Sequence, residues 1–301
     1  MINNTVNSEI QTSGTKPAGQ LQDKVAVITG AARGIGRSIC VAMAREGADI
    51  FAIDIEGPVS SVTAYPYSSS ADMAETQRLV TVLGVKFASA KADIRNWSEL
   101  EKVAAEAEST MGKIDIVVAD AGIQAFKPFI ESQQQDFDDV IKNNLLGTAY
   151  TMRIFTPYLI KQGQGRIITL SSTQGMQGLK HGAAYSASKW GIVGLTKSAA
   201  LELGEHKITV NAIVPGLIDT PMTRNPTRWR EAMGKTVKSP PENPTEQEVV
   251  ESLTIQTPLK QPWLSPDDVA PVAVFLASDA ADKVTGAVYD VTGGLSAQYT
   301  S

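Results

Sequence analysis

Lys24-Val25-Ala26-Val27-Ile28-Thr29-Gly30-Ala31-Ala32-Arg33-Gly34-Ile35-Gly36 is the stretch from which the fold follows. Its first half is a nearly unbroken run of Val, Ile and Ala, as expected of a strand covered on both faces in a parallel sheet. Glycines at 30, 34 and 36 then turn the chain into the apolar helical run Ser38-Ile39-Cys40-Val41-Ala42-Met43. Without side chains at such a turn, backbone N–H groups can approach a pyrophosphate at the helix N-terminus. A glycine turn also forms wherever the chain merely needs positive φ, so its meaning depends on its surroundings.

Those surroundings repeat the pattern. β-rich runs recur at residues 49–54, 86–92, 115–119, 166–170, 208–213 and 287–291, separated by stretches of helical length. Parallel strands joined by helical crossovers give an α/β fold: a doubly wound, seven-stranded parallel sheet with helices on both faces. At 301 residues and 43% hydrophobic content, one domain over residues 21–301 suffices. Residues 1–20, rich in Asn, Ser, Thr, Gln and Gly, read as a flexible tail without the apolar core of a secretory signal. Two segments break the rhythm. A long connection follows Asp54 before a helix beginning near Ser70 or Asp72, and a Pro-punctuated stretch at about 219–265 reads as a lid over a site.

Composition excludes several function classes. A net charge of -5 and the absence of a dense Lys/Arg run argue against nucleic acid, and no apolar run is long enough to cross a bilayer. Cys40 is the only cysteine, and the two histidines, His181 and His206, stand far apart, so neither a disulfide framework nor a metal site is expected. The expected setting is the cytoplasm.

Asp54 closes the second strand, eighteen residues beyond Gly36. There a carboxylate accepts hydrogen bonds from both hydroxyls of an adenosine ribose and repels a 2′-phosphate, which favours NAD over NADP. Arg33, inside the turn, is the opposing signal, since a guanidinium can pair with that phosphate. Downstream, Tyr185 and Lys189 are spaced four apart in a run that can be helical, so both leave one face. An ammonium beside a phenol stabilises the phenolate, which makes Tyr185 a candidate acid/base. Ser172 ends the strand before this helix, at the sheet edge where ligands of open α/β folds sit, and its hydroxyl can bond a substrate oxygen. Three groups thus converge on one C–O bond.

With those residues in view, the chain resembles the short-chain dehydrogenase/reductase family, a Rossmann-type fold, over nearly all of residues 22–295. The resemblance rests on the turn at 29–36, Asp93-Ile94, Ala121-Gly122, Asn144-Leu145-Leu146-Gly147-Thr148, Ser171-Ser172, Tyr185 with Lys189, and Pro215-Gly216-Leu217-Ile218-Asp219-Thr220. It implies that Tyr185 exchanges the proton, Lys189 also holds the nicotinamide ribose, Ser172 orients the carbonyl or alcohol, and Asn144 anchors a water relay. It implies cofactor contacts at Gly30, Arg33, Gly34, Ile35, Gly36, Asp54, Asp93, Ile94, Ala121, Gly122, Pro215 and Gly216, with Ile218 and Thr220 on the carboxamide. Family members are commonly homotetramers or homodimers, and the small and apolar residues Trp190, Val193, Ala199 and Ala200 on the Tyr185 helix suit such an interface. One departure is Asp120, which stands where the family usually has Asn. The long connection after Asp54 resembles the carveol dehydrogenase branch, where extra chain covers the adenosine end of NAD, although that branch often has Gln where this chain has Ile35.

Substrate contacts are expected from Met222, Trp229, Met233 and Trp263 in the lid and from Met176, Gln177 and Leu179 after Ser172. Each could instead pack the lid onto the core. The expected activity is hydride transfer between NAD and a secondary alcohol or ketone, cyclic or terpenoid. The alternatives are an NADP-dependent carbonyl reductase and a non-catalytic dinucleotide sensor.

Overall fold

The computed structural model describes residues 19–298 apart from Lys235, so the tail expected at 1–20 lies outside the described residues except for Gly19 and Gln20. Seven parallel strands, β1 (Val25–Thr29), β2 (Asp49–Asp54), β3 (Phe87–Lys91), β4 (Ile116–Ala119), β5 (Gly165–Leu170), β6 (Ile208–Pro215) and β7 (Val288–Val291), form one sheet. Their order is β3-β2-β1-β4-β5-β6-β7. The chain reverses direction across the sheet between β1 and β4, which opens a crevice at their carboxyl ends.

Period-two alternation divides the core. Ala26 and Ile28 of β1, Ile116 and Val118 of β4 and Ile168 of β5 face one layer, built from α1 (Gly34–Arg45), α2 (Ser70–Thr81) and α9 (Pro266–Ala277). Val25, Val27, Val117 and Ile167 face the other, where α3 (Trp97–Met111), α5 (Gly147–Gln162) and α6 (Ala183–Leu203) pack. Each fully buried Val or Ile among them contributes about 1.5–3 kcal/mol. Cys40 lies buried on the core side of α1. Among the described residues no helix is long and apolar enough to cross a membrane.

Both interruptions foreseen in the sequence fold back over the crevice. The connection after β2 ends at Ser69, which caps α2 by accepting from the Asp72 N–H while Asp72 accepts from the Ser69 N–H in return. The segment beyond β6 contains α7 (Pro226–Met233) and α8 (Glu246–Thr254). Its two ends are joined, because the Asp219 N–H donates to Leu264 O at 2.8 Å and the Leu264 N–H to Leu217 O at 2.9 Å. A short α4 (Gln134–Val140) leads into a π-helical turn at Ile141–Leu146.

Candidate active site

A cleft with about 1390 Å³ of empty space, including its mouth, runs along the carboxyl edge of the sheet from the glycine turn to Tyr185. At the turn, a Cβ on Gly36 would stand 2.2 Å from Gly30 O, and one on Gly30, held at φ +72°, would stand 2.9 Å from the Ala121 backbone. The turn therefore leaves no room for side chains there. What remains bare is the N-terminal end of α1, with the positive end of its dipole facing the cleft.

Asp54, at the end of β2, lines the same wall. Its carboxylate accepts from the Ala32 N–H (3.1 Å), the Glu56 N–H (3.1 Å) and the Ser68 hydroxyl (2.6 Å). Arg33, which also lines the cleft, donates to the carbonyls of Tyr67 (3.2 Å) and Pro66. The connection after β2 is thereby tied to the turn at one side. At the other, Arg95 donates to Val59 O (2.9 Å) and Ser60 to Asp139 (2.6 Å). Tyr65 carries the connection across to the reacting end, where its hydroxyl accepts from the Gln124 N–H at 3.0 Å.

At that end α6 starts at Ala183, so Tyr185 and Lys189 lie one turn apart and both are buried. The Lys189 ammonium donates to Leu170 O at 2.8 Å and lies 5.6 Å from the Tyr185 ring centre. Ser172 follows β5, accepts from the Gln174 N–H and donates to Gln174 Oε1 at 2.8 Å. The Tyr185 hydroxyl reaches the side chains of Ser172 and Gln124. Burial pushes this phenol above its ordinary range, and the Ser172 contact and the nearby Arg228 charge only partly offset that. The sequence suggested the opposite direction, through Lys189. Here desolvation dominates instead, and it also draws Lys189 down to about 8 against the pull of Asp120. Asp120 is pushed up to about 7 by burial, opposed by the Lys189 charge and by the Gly36 N–H.

The fold brings most of the expected residues to one cleft. Gly30, Arg33, Gly34, Ile35, Asp54, Asp93, Ile94, Ala121, Gly122, Ser172, Tyr185, Lys189, Pro215, Gly216, Ile218, Thr220 and Met222 all line it. Gly36 stands just behind the turn. Asn144 lies behind the wall within the π-helical turn, where it accepts from the Ile123 N–H (2.8 Å) and donates to Ile123 O (2.9 Å) and Ser188 (3.0 Å). It braces the segment after β4 against α6. Of the seven expected substrate contacts only Met222 lines the cleft, and Trp229, Met233, Trp263, Met176, Gln177 and Leu179 lie elsewhere. Trp229 packs edge-on to Trp263, their ring centres 6.3 Å apart, in a small lid core with Met233, Val249 and Leu253. Met176 and Gln177 are half-buried beyond the cleft walls. The helical spacing of Trp229 and Met233 signals an apolar face, and α8 rather than a ligand satisfies that face.

Tyr65, Gln124 and Arg228 line the cleft without having been anticipated. Tyr65 and Gln124 sit in loops whose direction no periodicity encodes. Arg228 belongs to Arg228-Trp229-Arg230-Glu231-Ala232-Met233, which reads as a short amphipathic piece whose pattern does not say that Arg228 enters the cleft.

The sequence model of the short chain dehydrogenase family matches residues 24–231. The (-)-trans-carveol dehydrogenase of Rhodococcus erythropolis is 36% identical over 279 residues, covering 91% of this chain and 98% of that protein. The crystal structure of carveol dehydrogenase from Mycobacterium avium in complex with NAD superposes with a TM-score of 0.87 at 34% identity, covering 93% of this chain and 100% of that one. A short chain dehydrogenase from Mycobacterium paratuberculosis bound to NAD gives a TM-score of 0.84 at 36% identity, with 93% and 100% covered.

Proposed function

The chain belongs to the short chain dehydrogenase family, and from that premise we propose that it transfers a hydride between NAD and a secondary alcohol or ketone. The observation that carries this reading is the meeting of Ser172, Tyr185 and Lys189 in one cleft with the bare glycine turn and Asp54. The crowding around Gly30 and Gly36 fits a ligand whose phosphates lie against the backbone. When bound, NAD supplies the hydride acceptor. Asp54 would then take the adenosine ribose hydroxyls, Ile218 and Thr220 the carboxamide, and Lys189 the nicotinamide ribose.

The remaining chemistry falls to the protein. Ser172 holds the substrate oxygen by its hydroxyl, and Tyr185 takes the alcohol proton or returns it to the ketone. Lys189 sets a positive charge beside that phenol, while Asn144 fixes the position of α6 through Ser188. Tyr65 and Gln124 close the cleft over the reacting atoms and exclude water.

NAD is favoured over NADP because the Asp54 carboxylate faces the cleft while Arg33, the cation that could greet a 2′-phosphate, is engaged by two carbonyls. A non-catalytic sensor would have no use for a desolvated phenol and ammonium in contact with a nucleotide cleft. Resemblance to carveol dehydrogenases supports a cyclic or terpenoid alcohol. We further propose a cytoplasmic enzyme working as a homotetramer or homodimer. A panel of cyclic and aliphatic secondary alcohols, followed by absorbance of the reduced nicotinamide, tests the activity: turnover with NAD at least about tenfold better than with NADP is expected. Preference for NADP, or no turnover with either coenzyme, contradicts it.

A further inference from the structure

We infer that Arg228 is the docking point for a carboxylate on the substrate, so that the alcohol oxidised is a hydroxy acid. The inference rests on the dehydrogenase reading above and narrows its substrate class.

Arg228 comes from the first turn of α7 and is only 8% exposed, yet it lines the cleft that holds Tyr185. Its Nε and Nη1 atoms are buried and have no hydrogen-bond partner among the described residues. No carboxylate forms an ion pair with it among those residues. Glu231, one turn along α7, has its carboxylate engaged by His181 Nδ1 at 3.0 Å. The Phe126 ring, 5.3 Å from the guanidinium carbon, offers only a soft contact. A guanidinium stays charged in proteins, and a buried charge with unmade hydrogen bonds is costly unless a ligand completes it. Burial pulls the group down to about 10, which still leaves it cationic at neutral pH.

Its charge acts on Tyr185, which lines the same cleft, and on Glu231 of its own helix. The cation is therefore set to meet the substrate at the Tyr185 end of the cleft. A planar guanidinium presents parallel N–H donors that match the two oxygens of a carboxylate. In the reaction the carbinol C–H electron pair leaves as hydride to NAD, the O–H proton passes to the phenolate form of Tyr185, which becomes the neutral phenol, and the C–O bond becomes C=O. The carboxylate on Arg228 is unchanged, and it fixes which carbon faces the nicotinamide.

Calorimetry on the NAD-loaded protein tests this without relying on turnover. Benzoate, cyclohexanecarboxylate and pentanoate are titrated beside their neutral carboxamides. At least one carboxylate is expected to bind about tenfold or more tightly than its amide, a preference that Arg228→Leu erases and Tyr185→Phe keeps. NAD affinity within about threefold of wild type reports that the Arg228→Leu variant is folded. Equal binding of every acid and its amide to the wild-type protein overturns the inference, as does a preference that survives Arg228→Leu. Failure of the dehydrogenase reading looks different: no alcohol, acidic or neutral, reduces NAD, whatever the calorimeter reads.

Discussion

Tyr185 is a phenol kept from water, with an ammonium and a guanidinium among its neighbours, and the proton-carrying role proposed for it depends on how those charges are shared. Asp120 enters the same balance from the floor of the cleft, through its pull on Lys189. Its folded-state value of about 7 lies above the ordinary 3.8, so the protonated acid adds stability that is complete below about 4 and lost as pH rises through 7. Asp120→Asn should remove that slope. Denaturant unfolding of the two proteins is expected to agree below about pH 4 and to diverge by pH 8, the variant being more stable by on the order of 2 kcal/mol after allowance for partial exposure. Equal pH dependence in the two proteins would show that Asp120 ionises freely. The spacing of Ser172, Tyr185 and Lys189 was legible because helix geometry and a strand end fix those positions from sequence alone. Arg228 and Tyr65 were not, because what makes them matter is the burial imposed when separate segments fold back onto the cleft.

At the scale of elements, the two insertions do different work. The connection after β2 is stapled by Arg33, Ser68 and Tyr65 across the wall that carries Asp54 and reaches Gln124 near Tyr185. The lid pairs its own two ends and builds a private core, with Arg224 stacked 3.9 Å from the Trp263 ring and joined to Asp219 at 2.7 Å. Excess loop length and proline content in the sequence marked both insertions. Their internal packing could not be read, since a Trp spaced for a helix face looks the same whether it meets a ligand or α8. Along α6 the inner residues are used up, Val193 and Ala200 being buried, while Trp190 is 52% and Leu201 89% exposed. Large apolar residues left on one long helix suit a partner copy. Gel filtration is expected at two or four times the 32.0 kDa chain mass, and elution at the monomer mass would contradict this.

For the whole molecule, the sheet order β3-β2-β1-β4-β5-β6-β7 puts the ends of β1, β2, β4, β5 and β6 on one edge. The glycine turn, Asp54, Ser172 and the segment from Pro215 to Thr220, far apart in sequence, therefore share one cleft. Alternating Val and Ile runs made that architecture readable, since a parallel sheet requires crossovers and the crossovers fix the side on which loops gather. We propose that this cleft binds NAD at one end and moves a proton through Tyr185 at the other. The most direct measurement compares Tyr185→Phe with wild type for NAD affinity and for alcohol-dependent NAD reduction. Affinity within about threefold and turnover down by at least about a thousandfold are predicted. Turnover that survives the loss of the phenol hydroxyl would contradict the mechanism.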